Sequence, residues 1–151
     1  MPSPTSAVLA FPPDTPEATA AAMADKLSHH TDAWDLAEDL ANGIQDIVVI
    51  DTRSSAKYLA GHIPGAISLP HRDMTPDRLG VLAMDRVYIT YCDGIGCNAS
   101  TKGAWKLARH GLRVKELLGG LDFWQRDGHP IASGEAPGCL VGYMPNDCGC
   151  D

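Results

Sequence analysis

No apolar run in this sequence approaches the ~18 residues that a membrane-spanning helix needs. The opening segment, MPSPTSAVLAFPPDTPE, has neither Lys nor Arg and only one short apolar run, Ala7 to Ala10, before Phe11, so it does not resemble a secretory leader. Basic charge is also scarce: 12 Lys and Arg stand against 19 Asp and Glu, a net charge of −7. Nucleic acid and anionic membrane both select a basic footprint, so neither is expected as a partner. There are five cysteines, an odd number without the spacing of a disulfide framework. A reducing cytoplasm is the expected compartment, where cysteines more often serve chemistry or metal binding than cross-linking. No internal repeat is present.

What remains is enough for one domain with a real core: 151 residues, 44% hydrophobic and 21% charged. The organising stretch is VYITYCDGIGCNAS, from Val87 to Ser100. It reads as a short apolar strand over Val87 to Tyr91, a glycine-containing loop that opens on Cys92, and a helix starting near Asn98. Such a strand–loop–helix turn aims backbone N–H groups at one concave spot, with the positive end of the helix dipole behind it. A thiol held there is expected to have a lowered pKa and to react as a thiolate. Cys92 is therefore the candidate nucleophile.

The rest of the chain reads as a scaffold. Asp14 or Thr15 caps a helix with Pro16 at its first position, and Ala18 to Leu27 is strongly helical. Thr31 or Asp32 caps a second helix, with an apolar stripe of Trp34, Leu36, Ala37, Leu40 and Ala41 that stops at Asn42-Gly43. His29-His30 reads as a solvated helix end. Ile47 to Ile50 is a β-branched run suited to a parallel strand buried on both faces. A helix over Ser54 to Ala60, a strand over Ala66 to Leu69, a loop over Pro70 to Pro76 and a helical turn over Asp77 to Leu82 follow. Beyond Cys92, Lys102 to His110 is amphipathic helix, Val114 to Leu117 a strand, and Phe123-Trp124 the centre of a short helix. Asp127-Gly128-His129-Pro130 is expected to end the core. Alternating strands and helices imply an α/β fold, a central parallel sheet with helices on both faces. Ligands in such sheets sit beyond the carboxyl ends of the strands, where Cys92 lies.

Four motifs then resemble the single-domain form of the rhodanese family. They are Asp51-Thr52-Arg53 after a buried strand, Tyr58 with Gly61-His62-Ile63-Pro64-Gly65-Ala66, Tyr91-Cys92, and Leu118-Gly119-Gly120 followed by Trp124 and Gly128-His129-Pro130. The resemblance spans roughly Asp32 to Ile131. It divides the chain into an N-terminal extension with a helix (1–30), a rhodanese-like domain (31–131) and a cysteine-containing tail (132–151). It implies a sulfurtransferase in which Cys92 takes sulfur from a small donor such as thiosulfate, carries it as a persulfide, and hands it to cyanide, a thiol or a protein acceptor. The loop Asp93, Gly94, Ile95, Gly96 and Cys97 would bind the persulfide, and no metal or organic cofactor is implied. The six residues from Cys92 to Cys97 match the sulfurtransferase loop. Related dual-specificity phosphatases use one residue more and a phosphate-clamping arginine, absent here.

The loop departs from the family pattern in having no basic residue. Asp93 follows Cys92, and a carboxylate there is expected to disfavour thiosulfate and to raise the Cys92 pKa. Arg72 is the candidate to supply the missing charge at the site mouth. Cys97 reads either as a partner that resolves the persulfide or forms a disulfide with Cys92, or as a packed small residue. Cys148 and Cys150, with Cys139, read as a sulfur relay, a soft-metal site or incidental thiols. Asp51 is expected to cap the helix near Ser54, Arg53 to pair with an acidic residue across the fold, and His62 to serve structure. Trp34, Trp105 and Trp124 read as packing. A non-enzymatic regulatory module and a cysteine redox sensor are the alternative functions.

Overall fold

The computed structural model describes residues 1–143. Four of its α-helices begin at a side-chain cap. The Thr15 side chain accepts from the Ala18 N–H and Pro16 opens α1 (Pro16–His29). The Asp32 carboxylate accepts from Asp35 N–H at the head of α2 (Ala33–Ala41). Ser54, not Asp51, caps α3 (Ser55–Ala60), accepting from Lys57 N–H. The remaining helices are α4 (Pro76–Gly80), α5 (Ala99–Arg109) and α6 (Gly120–Arg126). Among the described residues no helix is long and apolar enough to cross a membrane.

Five parallel strands form one sheet: β1 (His30–Thr31), β2 (Ile47–Asp51), β3 (Ile67–Ser68), β4 (Val87–Tyr91) and β5 (Arg113–Leu117). Their order is β1-β5-β4-β2-β3, which puts the strand carrying the cysteine loop in the centre. The β2–β4 register pairs Ile47 with Val87 and Asp51 with Tyr91. His29 is the exposed last residue of α1, as expected, and His30 caps that helix with its N–H on Lys26 O while also opening β1, where it pairs with Glu116 of β5.

Side chains alternate across the sheet, as strand geometry requires. Val49, Ile89, Tyr91 and Leu117 pack on one face against Leu36 and Ala37 of α2 and Leu121 and Trp124 of α6. Ile50 and Tyr88 pack on the other with Leu79 of α4 and Leu107 of α5. The sheet is therefore covered on both sides, which explains the continuous apolar run of β2. The core does not end at Pro130. Leu140 is buried in the α2–α6 layer, Ala132 bridges to His62, and Gly142 N–H donates to Ala41 O, so the chain returns across the domain. Of the tryptophans, Trp124 is buried and Trp34 half-buried, whereas Trp105 is 57% exposed with the Arg109 guanidinium over its ring.

Candidate active site

The end of β4 is fixed from both sides. Thr52 donates to Tyr91 O through its hydroxyl (2.7 Å) and its backbone N–H (3.1 Å). Thr90 Oγ1 donates to Ser100 O, tying the strand to the first turn of α5. The chain then enters the loop at Cys92. The first amides of α6 hold the loop from behind, with Leu121 N–H donating to Cys92 O (2.9 Å) and Asp122 N–H to Asp93 O (2.8 Å). All peptides are trans, so the N–H groups of Asp93 and Gly94 point away from those carbonyls, to the side opposite α6. The Cys97 N–H is already spent in a turn, donating to Gly94 O (3.1 Å). The inward-facing amides expected over the whole loop are thus limited at its far end. Gly120 makes this packing possible. Its φ is +58°, and a Cβ there would sit 2.4 Å from Cys92 O.

An open cavity of about 460 Å³ lies over the loop. Cys92, Asp93, Cys97 and Arg72 line it, together with Thr52, Arg53, Ser54, Ser55, Lys57 and His71. Cys92 is only 1% exposed, so this cavity is its route to solvent. Gly94, Ile95 and Gly96 do not line it. Ile95 is 79% exposed and faces an apolar groove with Ala33, Leu118 and Phe123. Arg72 reaches the cavity, as the sequence suggested, and makes no ion pair among the described residues.

Cys92 and Cys97 are joined by a disulfide, their Cα atoms 6.2 Å apart. Together with the Asp93 carboxylate their sulfurs form the group of potential metal ligands found among the described residues. The sulfurs are bonded to each other and the carboxylate is bonded to cations, so none is a vacant ligand in this form. Cys139 is a free, exposed thiol. Cys148 and Cys150 lie outside the described residues.

Asp93 is not the lone negative charge that its sequence neighbours suggest. Arg53 Nη1 donates to its Oδ1 (3.1 Å) and Lys57 Nζ to its Oδ2. Burial alone would raise its pKa, but the Lys57 and Arg53 contacts outweigh burial and hold it below the usual carboxylate value. The negative charge that follows Cys92 in the sequence is thus paired with two cations. Arg53 is itself 7% exposed. Its Nε and Nη2 grip Asp51 through both carboxylate oxygens (3.0 and 2.7 Å), and Nη2 also donates to Gly61 O (2.6 Å). Burial works against its charge, yet Asp51 and then Asp93 more than compensate and raise its pKa. Tyr91 donates its hydroxyl proton to Asp51 Oδ2 (2.8 Å) and accepts from Ile63 N–H. Burial, then the Asp51 charge, raises its pKa. The D-x-R motif is thus a buried polar corner that reaches the cavity rim through Arg53.

His62 lies outside the cavity. Its ring stacks on Tyr58 (3.7 Å between centroids), with Nδ1 near Tyr58 O and Nε2 near the carbonyls of Ala136 and Pro137. His71 does face the cavity. Burial, followed by Lys106, Lys102 and Arg72, lowers its pKa. Lys57 and His71 are cavity residues that the sequence did not single out. The only signal for Lys57 was its place one residue before Tyr58 in the motif.

The comparisons with known proteins agree with this geometry. The family model for the rhodanese-like domain matches residues 34–127. The HTH-type transcriptional regulator Rv0324 of Mycobacterium tuberculosis is 37% identical over 121 residues, 79% of this chain and 53% of that protein. The chain thus spans about half the length of that regulator. A sulfurtransferase of Allochromatium vinosum is 32% identical over 104 residues, 69% of this chain and 94% of that protein. Among solved structures, the BH2092 protein of Bacillus halodurans superposes with a TM-score of 0.77 at 37% identity, covering 86% of this chain and 96% of that one. The match over most of the domain, and the five-stranded sheet with its cysteine loop, place this chain in the rhodanese-like domain family.

Proposed function

We propose that this chain is a sulfurtransferase that carries sulfane sulfur on Cys92. Once the Cys92–Cys97 disulfide is reduced, the Cys92 thiolate attacks the outer sulfur of a small donor. With thiosulfate, Cys92–S⁻ and S₂O₃²⁻ give Cys92–S–S⁻ and SO₃²⁻. The persulfide then yields its outer sulfur to cyanide, a thiol or a protein thiol, and the thiolate returns. The observation that carries this reading is the position of Cys92. It directly follows the central strand and lines a cavity, with the Asp93 and Gly94 amides directed to the side opposite α6, and α5 begins behind the loop. The 32% identity to a sulfurtransferase over nearly that protein's whole length supports it. Arg53 and Lys57 are engaged by Asp93, so Arg72 is the cation left to meet an anionic donor at the rim.

Intact mass of the reduced chain after incubation with thiosulfate or 3-mercaptopyruvate, in the Cys97→Ser background, tests the carrier. A gain of one sulfur, reversed by cyanide and absent from Cys92→Ser, is the expected result. Failure to gain sulfur from either donor would sink it. Arg72→Ala is expected to weaken donor affinity, seen as a higher KM for thiosulfate with an unchanged rate at saturation.

The identity to a transcriptional regulator favours a second reading, in which the same loop senses sulfur or oxidation and reports to a protein partner. That reading predicts a single modification event that changes partner binding without multiple turnover.

A further inference from the structure

Sulfur transfer through Cys92 needs one thiol, and the loop supplies two. Cys97 is not merely near Cys92; its sulfur is bonded to the Cys92 sulfur. The turn from Cys97 N–H to Gly94 O folds the loop back and carries the second thiol over the first. The carboxylate beside them is paired with Lys57 and Arg53 rather than left facing the two sulfurs as a lone charge. Cys97 also directly precedes Asn98, which opens the eleven-residue helix α5, and the positive end of that helix favours an anion there.

We propose that Cys97 is a resolving cysteine that converts the Cys92 persulfide into a disulfide and releases sulfide. This rests on the reading of Cys92 as the sulfur carrier. The position of the disulfide specifies which sulfur is attacked. Cys97 reaches the inner sulfur, the one belonging to Cys92, whereas the outer sulfur of a persulfide lies about 2 Å further out. Attack on the inner sulfur by the Cys97 thiolate forms the Cys92–Cys97 bond and breaks the bond to the outer sulfur. That sulfur leaves with the bonding electron pair. The step is Cys97–S⁻ plus Cys92–S–SH giving the disulfide plus HS⁻. The two cysteine sulfurs are oxidised, the sulfane sulfur is reduced to sulfide, and the proton stays on the departing sulfur. An internal thiol acts at an effective concentration on the order of millimolar or more, so it competes with external acceptors from the first turnover.

Regeneration needs a thiol reductant, and a dithiol protein is the natural class. Cys92 is buried at 1% exposure and Cys97 is half-buried, so the reductant attacks Cys97 Sγ and frees the Cys92 thiolate first. With such a reductant the chain turns over as a sulfane-sulfur reductase. Without one it stops in the disulfide form after a single cycle.

The test uses the reduced, desalted full chain with thiosulfate and, separately, a low-molecular-weight persulfide, with no external acceptor. Sulfide is assayed, intact mass is measured, and the disulfide is located by peptide mapping. The wild type is expected to release about one sulfide per chain, lose two hydrogens, and link Cys92 to Cys97. Cys97→Ser and Cys97→Ala are expected to keep the added sulfur and release at least tenfold less sulfide. A wild type that retains the sulfur as stably as Cys97→Ser would overturn the resolving role and leave the carrier intact. So would a disulfide from Cys92 to Cys139, Cys148 or Cys150, or sulfide release by the two variants equal to that of the wild type. If Cys97→Ser, with native circular dichroism, takes up no sulfur from either donor, the carrier reading fails and the resolving role fails with it.

Discussion

The corner built by Asp51, Arg53 and Tyr91 and the helix α1 at the N-terminus are held in opposite ways. In the corner Asp51, Arg53 and Tyr91 are all buried and hydrogen-bonded, and beside the Asp51–Arg53 pair stand contacts between residues forty positions apart, Tyr91 to Asp51 and Arg53 to Asp93. In α1 no residue is buried, and the helix rests on its own alanines, its Thr15 cap and its Pro16 start. A buried charge that loses its partner is left uncompensated in a low dielectric, whereas an exposed helix that loses a cap meets water. The same kind of truncation should therefore have very different consequences in the two places.

Arg53→Ala is the strongest way to break the corner. It strands the Asp51 carboxylate, which is 0% exposed, and is expected to lower stability by about 3–5 kcal/mol. The readout is the midpoint of urea unfolding; a loss under about 1 kcal/mol would show that Asp51 is reached by water. Tyr91→Phe keeps the packing and removes one hydroxyl, leaving Ile63 N–H without its acceptor and Asp51 short of a donor, an expected loss of about 1–3 kcal/mol by the same measurement.

A smaller effect comes from His129. Both its ring nitrogens are buried without a partner, enclosed by the rings of Trp34, Trp124 and Tyr143. Burial holds its pKa below the ordinary 6.5 despite the opposing charge of Asp127. Its contribution to stability is complete above that ordinary value and is lost as pH falls through the lower folded one, because the unfolded chain takes up the proton first. Urea midpoints should fall on acidification over that window, and His129→Gln should flatten the slope. The least effect is expected for Thr15→Ala, which should leave the global midpoint within about 0.5 kcal/mol while speeding amide exchange in α1. A large global loss there would mean that α1 is covered by something in solution.

What could be read from the sequence follows the same division. Elements fixed by local chemistry were legible: the β-branched run of β2, the capped starts of α1 and α2, and the glycine-flanked loop after β4. β1 was not, because two polar residues carry no periodicity and become a strand only by lying beside β5. Asp51 offered a helix cap by proximity, but Ser54 is better placed and Asp51 is claimed by Arg53 and Tyr91. The pairing of Asp93 was not legible, because its partners, Lys57 and Arg53, come from 36 and 40 residues away. Leu140 joins the core from a segment whose glycines and prolines read as tail.

Tyr91 and Cys92 are consecutive on an extended chain, so they project to opposite sides. One plants its ring in the interior beneath Asp51, and the other opens onto the cavity. Parity along β4 is consequently a functional constraint. Inserting or deleting a single residue between Val87 and Tyr91 would exchange the two positions, sending the sulfur inward and the phenol outward. Any graft of this loop onto another scaffold must keep an odd–even match with the receiving strand, even where the loop itself is copied intact.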